Sequence, residues 1–373
     1  MKVCLIHTGN PYKIVGGVET YLLNLAKYIK NEGHQVYIAF SELKENLILK
    51  ILRKTIRIDV SELLRDFVSA SKAVKLRADI YHGYGGALYP LLKLKLPKKS
   101  FVATLHGTTY GLMKATFPTL HYRIAVLQKE KITQHFSDMI IAVSKQVMLE
   151  AIKFYHTPEE KIRIIYNGVD TPLFNSIKKE DAKNCLKIPL DIPVISFIGR
   201  CDHQKGADKL IQIIKYLMKH SLYDKLLIQI VGWGGKYFKE VQELSQRLQN
   251  RVILRSFIPY KEVILRVSAS DIFIFPTRYE GHSIALLEAM AAGNAIITSK
   301  LPSIQETLNE REGILIEVDK PIEEWCKALE KLLNDDKLLK KFQELARKKA
   351  YEFPLERTLK ETMNVYYELT SLN

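Results

Sequence analysis

The strongest constraint on this chain is a rhythm. Short apolar runs of strand length alternate with stretches whose apolar residues recur every three or four positions. The alternation runs once, pauses and starts again. Residues 3–6 read as a buried strand. Val18, Leu22, Leu25 and Ile29 then fall on one helical face, and Gly33 ends that helix. Residues 36–40, 80–82, 101–105, 139–143 and 162–165 continue as strands. A second series follows at 194–198, 226–231, 252–254, 272–275, 295–298 and 314–318. Strands that are apolar throughout and separated by helices predict parallel sheets covered on both faces, in an α/β, doubly wound architecture.

Between the series, residues 167–193 hold Gly168, Pro172, Pro189 and Pro193, the composition of a connection between domains. We therefore expect an N-terminal Rossmann-like domain over 1–172 and a second over 173–353, facing each other across a cleft. Residues 355–372 follow Pro354 with helical composition, and the segment 354–373 is expected to be a helix that crosses back to the first domain. A length of 373 residues suits this number of domains, and 47% apolar with 26% charged residues excludes a disordered chain. Cys4, Cys185, Cys201 and Cys326 form no Cys-x-x-Cys pair, so neither a zinc ribbon nor a disulfide framework is readable. The first nine residues make too short an apolar run for a signal-peptide core. No run of ~18 apolar residues predicts a membrane span.

Three places hold residues with chemical potential. Gly16-Gly17-Val18-Glu19 follows the first strand and opens a helix. Glycines allow close backbone approach, and helix-start N–H groups attract anions. The segment is equally readable as a tight loop without a ligand, and no G-x-G-x-x-G pattern marks a dinucleotide site. Gly199-Arg200 and Lys205-Gly206 follow the first strand of the second series. An arginine fork and a lysine point charge can share one anion, a diphosphate being the natural candidate; they can also be a solvated surface pair. The third place is residues 276–293. There Glu280 stands in a loop, a helix opens near Ser283, and Glu288 lies within the apolar run Leu286-Leu287-Glu288-Ala289-Met290. A charge in such a run needs a partner or a ligand. The amides at Ser283, Ile284 and Ala285 suit phosphate oxygens.

Glu280 and Glu288, with seven residues between them, resemble the E-x7-E motif of retaining glycosyltransferases of the GT-B fold, family 4 (group 1). The resemblance extends over the whole chain through Gly16-Gly17, Leu105-His106-Gly107, Ala142-Val143-Ser144, Asn167-Gly168-Val169-Asp170, Gly199-Arg200 with Lys205-Gly206, and Val231-Gly232-Trp233-Gly234. It implies that Arg200 and Lys205 hold the donor diphosphate and that Glu288 binds the ribose. It implies that Glu280 and His106 contact the transferred sugar, and that His282, Ser283, Ile284 and Ala285 lie along sugar and phosphates. Gly16, Gly17 and Gly199 would approach the phosphates or the acceptor, and Gly232 and Ile258 the base. Two departures bear on donor identity. The family often has Glu-Gly-Phe-Gly-Leu where this chain has Glu280-Gly281-His282-Ser283-Ile284, and Trp233 stands where Asp is frequent.

The expected activity is transfer of a hexose, with retention, from a UDP- or GDP-sugar to a lipid- or polysaccharide-linked acceptor. Neither cofactor nor metal is expected, because no Asp-x-Asp pair occurs in the sequence and Arg200, Lys205 and helix N-termini would carry the leaving-group charge. The alternatives are a nucleotide-sugar epimerase, a soluble glucan or sugar-phosphate transferase, and a non-catalytic nucleotide-sugar-binding protein. Residues 1–170 hold 25 Lys and Arg against 14 Asp and Glu, whereas the remainder holds 31 against 27. With the mixed basic and apolar stretches 47–57 and 91–99, this points to an anionic membrane surface and a peripheral, cytoplasmic location at the inner face of the cell membrane. No nucleic-acid module is recognised, and the basic runs lack interleaved aromatics.

Overall fold

A computed structural model describes residues 1–13, 16–43, 60–84, 89–116, 120–219, 225–248 and 250–371. The chain forms two compact units, residues 1–166 with 358–373, and residues 167–357.

The first unit runs β1 (Lys2–His7), α1 (Gly17–Asn31), β2 (Gln35–Phe40), α2 (Val60–Lys75), β3 (Ile80–Tyr84) and α3 (Tyr89–Lys95). It continues with β4 (Ser100–Leu105), α4 (Thr109–Ala115), α5 (Leu120–Phe136), β5 (Met139–Ala142), α6 (Lys145–Tyr155) and β6 (Ile162–Ile164). The strands lie in the order β2-β1-β3-β4-β5-β6, and all pair in parallel. The apolar runs become strands because both sheet faces are covered; β4 and β5 are buried at every position.

The second unit begins with α7 (Thr171–Asn175) and α8 (Lys179–Cys185), followed by β7 (Val194–Arg200), α9 (Ala207–Leu217), β8 (Leu227–Trp233) and α10 (Phe238–Arg247). Next come β9 (Val252–Arg255), α11 (Tyr260–Ser268), β10 (Ile272–Phe275), α12 (Ile284–Ala291), β11 (Ala295–Ser299) and α13 (Pro302–Gln305). β12 (Gly313–Ile316), α14 (Ile322–Asn334) and α15 (Asp336–Ala350) complete it. Its order, β12-β11-β10-β7-β8-β9, is again all parallel and is the doubly wound order in which the first strand lies beside the fourth. The last strand ends sooner than its apolar run, because Val318 lies in a turn whose carbonyl is bound by the Lys209 ammonium.

A final helix, α16 (Leu355–Ser371), packs from Thr358 onward in the first unit. There the Tyr21 hydroxyl meets Thr362 Oγ1 at 2.9 Å, and Arg163 pairs with Glu368 at 2.9 Å. Of the two basic, apolar stretches, residues 47–57 lie outside the described residues. In the other, Lys93 is held by Asp138 at 2.7 Å and Lys99 by Asp79 at 3.0 Å, while Leu92 is buried and Leu94 exposed. Among the described residues no helix is long and apolar enough to cross a membrane.

Candidate active site

In a doubly wound sheet, ligands bind beyond the carboxyl ends of the strands, where the order reverses. In the second unit that point lies between β7 and β10, adjacent strands that end at Arg200 and Phe275. The loops leaving these two ends carry most of the residues singled out in the sequence.

The junction is built around Gly206. It precedes α9 with φ of +74°, and an added Cβ would fall 2.0 Å from the Pro276 carbonyl oxygen. Only glycine fits this left-handed close approach. Lys205 is thereby set against the loop after β10, where its Nζ bonds both Glu280 oxygens at 2.8 and 2.9 Å. The Glu280 carboxylate is 6% exposed. The Thr277 hydroxyl lies 2.7 Å from Glu280 Oε1, and Ser303 Oγ donates to the Glu280 carbonyl at 2.8 Å.

Gln204 ties Arg200 to the same loop. Its Nε2 donates to the Tyr279 carbonyl at 3.0 Å, while its Oε1 accepts from Arg200 at 2.7 Å. Arg200 also pairs with Asp202 at 3.1 Å and remains half exposed. The loop is clamped at its base by Arg278, which grips both Asp208 oxygens at 2.7 Å. An exposed cation, a buried ion pair and a fixed loop thus converge at one strand end.

Helix α12 opens beside them. Ser283 is its N-cap and accepts from the Leu286 amide, which leaves the first-turn amides at Ile284 and Ala285 without intrahelical acceptors. Glu288 is 5% exposed and accepts a bond from the Tyr260 hydroxyl at 2.6 Å. Burial pushes its carboxyl up from the ordinary 4.5 to about 7, against the pull of the Tyr260 hydrogen bond. Burial and the Glu288 carboxylate push the Tyr260 phenol up in turn. Gly199 and Gly232 are register partners on β7 and β8, and Ile258 follows β9 at 9% exposure. Next to it, Phe257 is 70% exposed with φ of +52°, a strained position for an aromatic residue.

His282 lies apart in character. It is 4% exposed, its ring packs on Phe353 at 5.3 Å, and its carbonyl accepts from Asn167 at 2.8 Å. Burial holds its pKa down at about 3, so the ring is neutral.

The first unit has its own reversal point, between β1 and β3. Gly16 is the N-cap of α1, Gly17 its first residue, and an added Cβ at Gly16 would fall 2.5 Å from Glu19 Oε2. Glu19 lies 3.4 Å from His7 at the end of β1. Burial disfavours charge on His7, but the Glu19 carboxylate and the Gly9 carbonyl outweigh it and raise the pKa. His106 follows β4, its ring 5.4 Å from Tyr21 and 5.2 Å from Tyr84. Its Nε2 is buried and has no hydrogen-bond partner among the described residues. Burial, then the nearby His7, lowers its pKa to about 3. Among the described residues no group of three His, Cys, Asp or Glu side chains is placed to hold a metal ion.

Arg200, Lys205, Glu280 and the α12 N-terminus thus come together in one unit, with Glu288 one to two turns along. Gly16, Gly17 and His106 belong to the other. Sequence reasoning missed Gln204, Tyr260, Thr277 and Ser303. Gln204, flanked by Arg200 and Lys205, was the one with a local signal.

Two cations, two carboxylates and a helix N-terminus thus gather at the second unit's switch point. Residues 15–172 match the sequence family Glycosyltransferase Family 4, and residues 178–349 match Glycosyl transferases group 1. The chain belongs to this glycosyltransferase family and has the GT-B fold. An uncharacterized glycosyltransferase of Methanocaldococcus jannaschii is 25% identical to it over 98% of both chains. Sucrose-phosphate synthase from Thermosynechococcus elongatus superposes with a TM-score of 0.81 at 19% identity, covering 100% of both chains. Anabaena HepE, solved with UDP-glucose, gives 0.74 at 16% identity over 99% of this chain and 100% of that one.

Proposed function

We propose that this glycosyltransferase moves a hexose from a UDP- or GDP-sugar to a lipid- or polysaccharide-linked acceptor, with retention and without a metal ion. The observation that carries the reading is the Lys205–Glu280 pair, joined through Gln204 to Arg200 at the mouth of β7 and β10. The UDP-glucose bound by Anabaena HepE supports the donor class. The basic excess of residues 1–170 supports an anionic acceptor at the cytoplasmic membrane face.

Breaking the bond between the anomeric carbon and the phosphate oxygen leaves its electron pair on the diphosphate. Preorganised cations and helix-start amides stabilise such charge most where water is excluded. Arg200 and Lys205 take that role, with the amides of Ile284 and Ala285. Glu280, already fixed by Lys205 and Thr277, receives hydroxyls of the transferred sugar. Glu288 receives those of the ribose. The acceptor oxygen bonds the anomeric carbon on the face the diphosphate leaves, and its proton passes to the departing phosphate oxygen.

A thermal-shift panel of UDP, GDP, ADP and their sugar conjugates, run in EDTA, tests this. Binding to the native state raises stability by ~2.7 kcal/mol at a hundredfold excess over Kd. A shift with UDP or GDP compounds, and turnover that survives EDTA, are expected. No shift with any nucleotide would overturn the donor assignment, and activity restored only by Mg²⁺ would overturn metal independence.

A further inference from the structure

At the opposite edge of the second unit's sheet, where the strands begin, lies a cavity of about 440 Å³. This is within the size range of small-molecule sites. It is remote from Arg200 and Phe275, which mark the strands' other ends. One wall is a face of α15 on which Lys340, Gln343, Glu344, Arg347 and Lys348 line the opening, with Tyr351 just past its end. Lys179 of α8 and Gly293, in the turn before β11, stand opposite.

The charge is unbalanced. Four cations and one carboxylate, Glu344, line the cavity. Lys179 is already matched by Asp271 at 2.7 Å. Lys340 and Lys348, one turn either side of Glu344, close an ion pair neither with it nor with any other described residue. Basic residues in the last turn of α15 complement the helix dipole. That does not account for Lys340 in its first half.

Arg347 is held in place. Its Nη2 donates to the Ala292 carbonyl at 3.0 Å, and its guanidinium lies against Gly293, where an added Cβ would fall 2.3 Å from Nη2. Gly293 has φ of +75°, so the position is closed to a side chain twice over. The remaining guanidinium N–H groups meet no acceptor among the described residues. A planar fork fixed this way is preorganised for a phosphate.

We propose that this cavity binds a phosphomonoester of sugar-phosphate size, at a site distinct from the donor site. The phosphate lies on Arg347, Lys340 and Lys348. The sugar hydroxyls reach the Glu344 carboxylate and the Gln343 amide oxygen, with the Tyr351 ring as a wall. Glu344 sets the class: a carboxylate repels a bare polyanion and accepts bonds from a polyol.

Calorimetric titration of the intact chain with glucose 6-phosphate tests this, using glucose as the unphosphorylated control. The double variant Lys340→Glu, Lys348→Glu changes exposed side chains only, and unchanged tryptophan fluorescence would check its fold. Its affinity should fall about tenfold or more. The donor-site variant Arg200→Gln should bind as the parent does. Absence of binding, equal affinity in the double variant, or loss in Arg200→Gln would each overturn the proposal. Vesicles containing phosphatidic acid separate a lipid headgroup from a soluble ester. Capture that depends on Lys340 and Lys348 and yields to glucose 6-phosphate supports the assignment. Capture that glucose 6-phosphate cannot displace overturns it.

Discussion

Replacing Glu288 by Gln should remove a pH dependence from the stability of the second unit. The Glu288 carboxyl is raised from 4.5 to about 7 in the folded chain, chiefly by burial. Below the unfolded value both states carry the proton and the group costs nothing. As pH rises, the unfolded chain ionises first, so the contribution is lost up to the folded value of about 7. The shift corresponds to about 3 kcal/mol. The stability of the wild type relative to Glu288→Gln should therefore fall by that order between about pH 4 and about pH 8. Trp233 and Trp325 are the chain's two tryptophans, and both lie in the second unit, so urea unfolding followed by fluorescence reads this unit. Tyr260→Phe removes a bond that favours the ionised form and should move the midpoint higher. If ribose hydroxyls bind the ionised carboxylate, donor binding should release a proton near neutral pH and weaken as pH falls. A stability difference that is flat or rises with pH would refute the reasoning about burial.

Lys205→Ala leaves the nearly buried Glu280 carboxylate with no cation, which should cost on the order of 3–5 kcal/mol in urea unfolding. Adding Glu280→Gln should recover much of that stability but none of the sugar transfer, and recovery of both would remove Lys205 from the chemistry. Gly206→Ala forces a Cβ to within 2.0 Å of the Pro276 oxygen at a left-handed φ. The conformation alone costs roughly 1–2 kcal/mol. Displacement of the Lys205 loop should also lower kcat, and an unchanged kcat with full stability would show that the junction tolerates the shift.

What the sequence disclosed and what it hid divide along one physical line. The twelve described strands were legible from their apolar runs, a property of adjacent residues, most plainly in β4, β5, β10 and β11, which are buried at every position; the half-exposed edge strand β2 still shows the run Val36 to Phe40. Arg200, Lys205, Glu280 and Glu288 were legible for a related reason. Each stands where local pattern breaks, as a charge after an apolar strand or inside an apolar helix. Thr277 and Ser303 break no such pattern, and Gln204 signals only by its place between Arg200 and Lys205; Ser303 meets Glu280 across 23 positions. Gln204 reaches Tyr279 across 75 positions, a contact that exists because β7 and β10 are neighbours in the sheet. Strand order is not written in strand composition, so a polar residue whose partner arrives through sheet order looks like any polar loop residue. Tyr260 is the sharpest case. Nothing at the start of α11 marks it, yet it donates the hydrogen bond found at the buried Glu288 carboxylate. A buried charge in a sequence therefore announces that a partner exists and leaves its identity to the topology. The second unit's site reads as four charged residues in the sequence, and as a set of positioned oxygens and cations only once β10 lies beside β7.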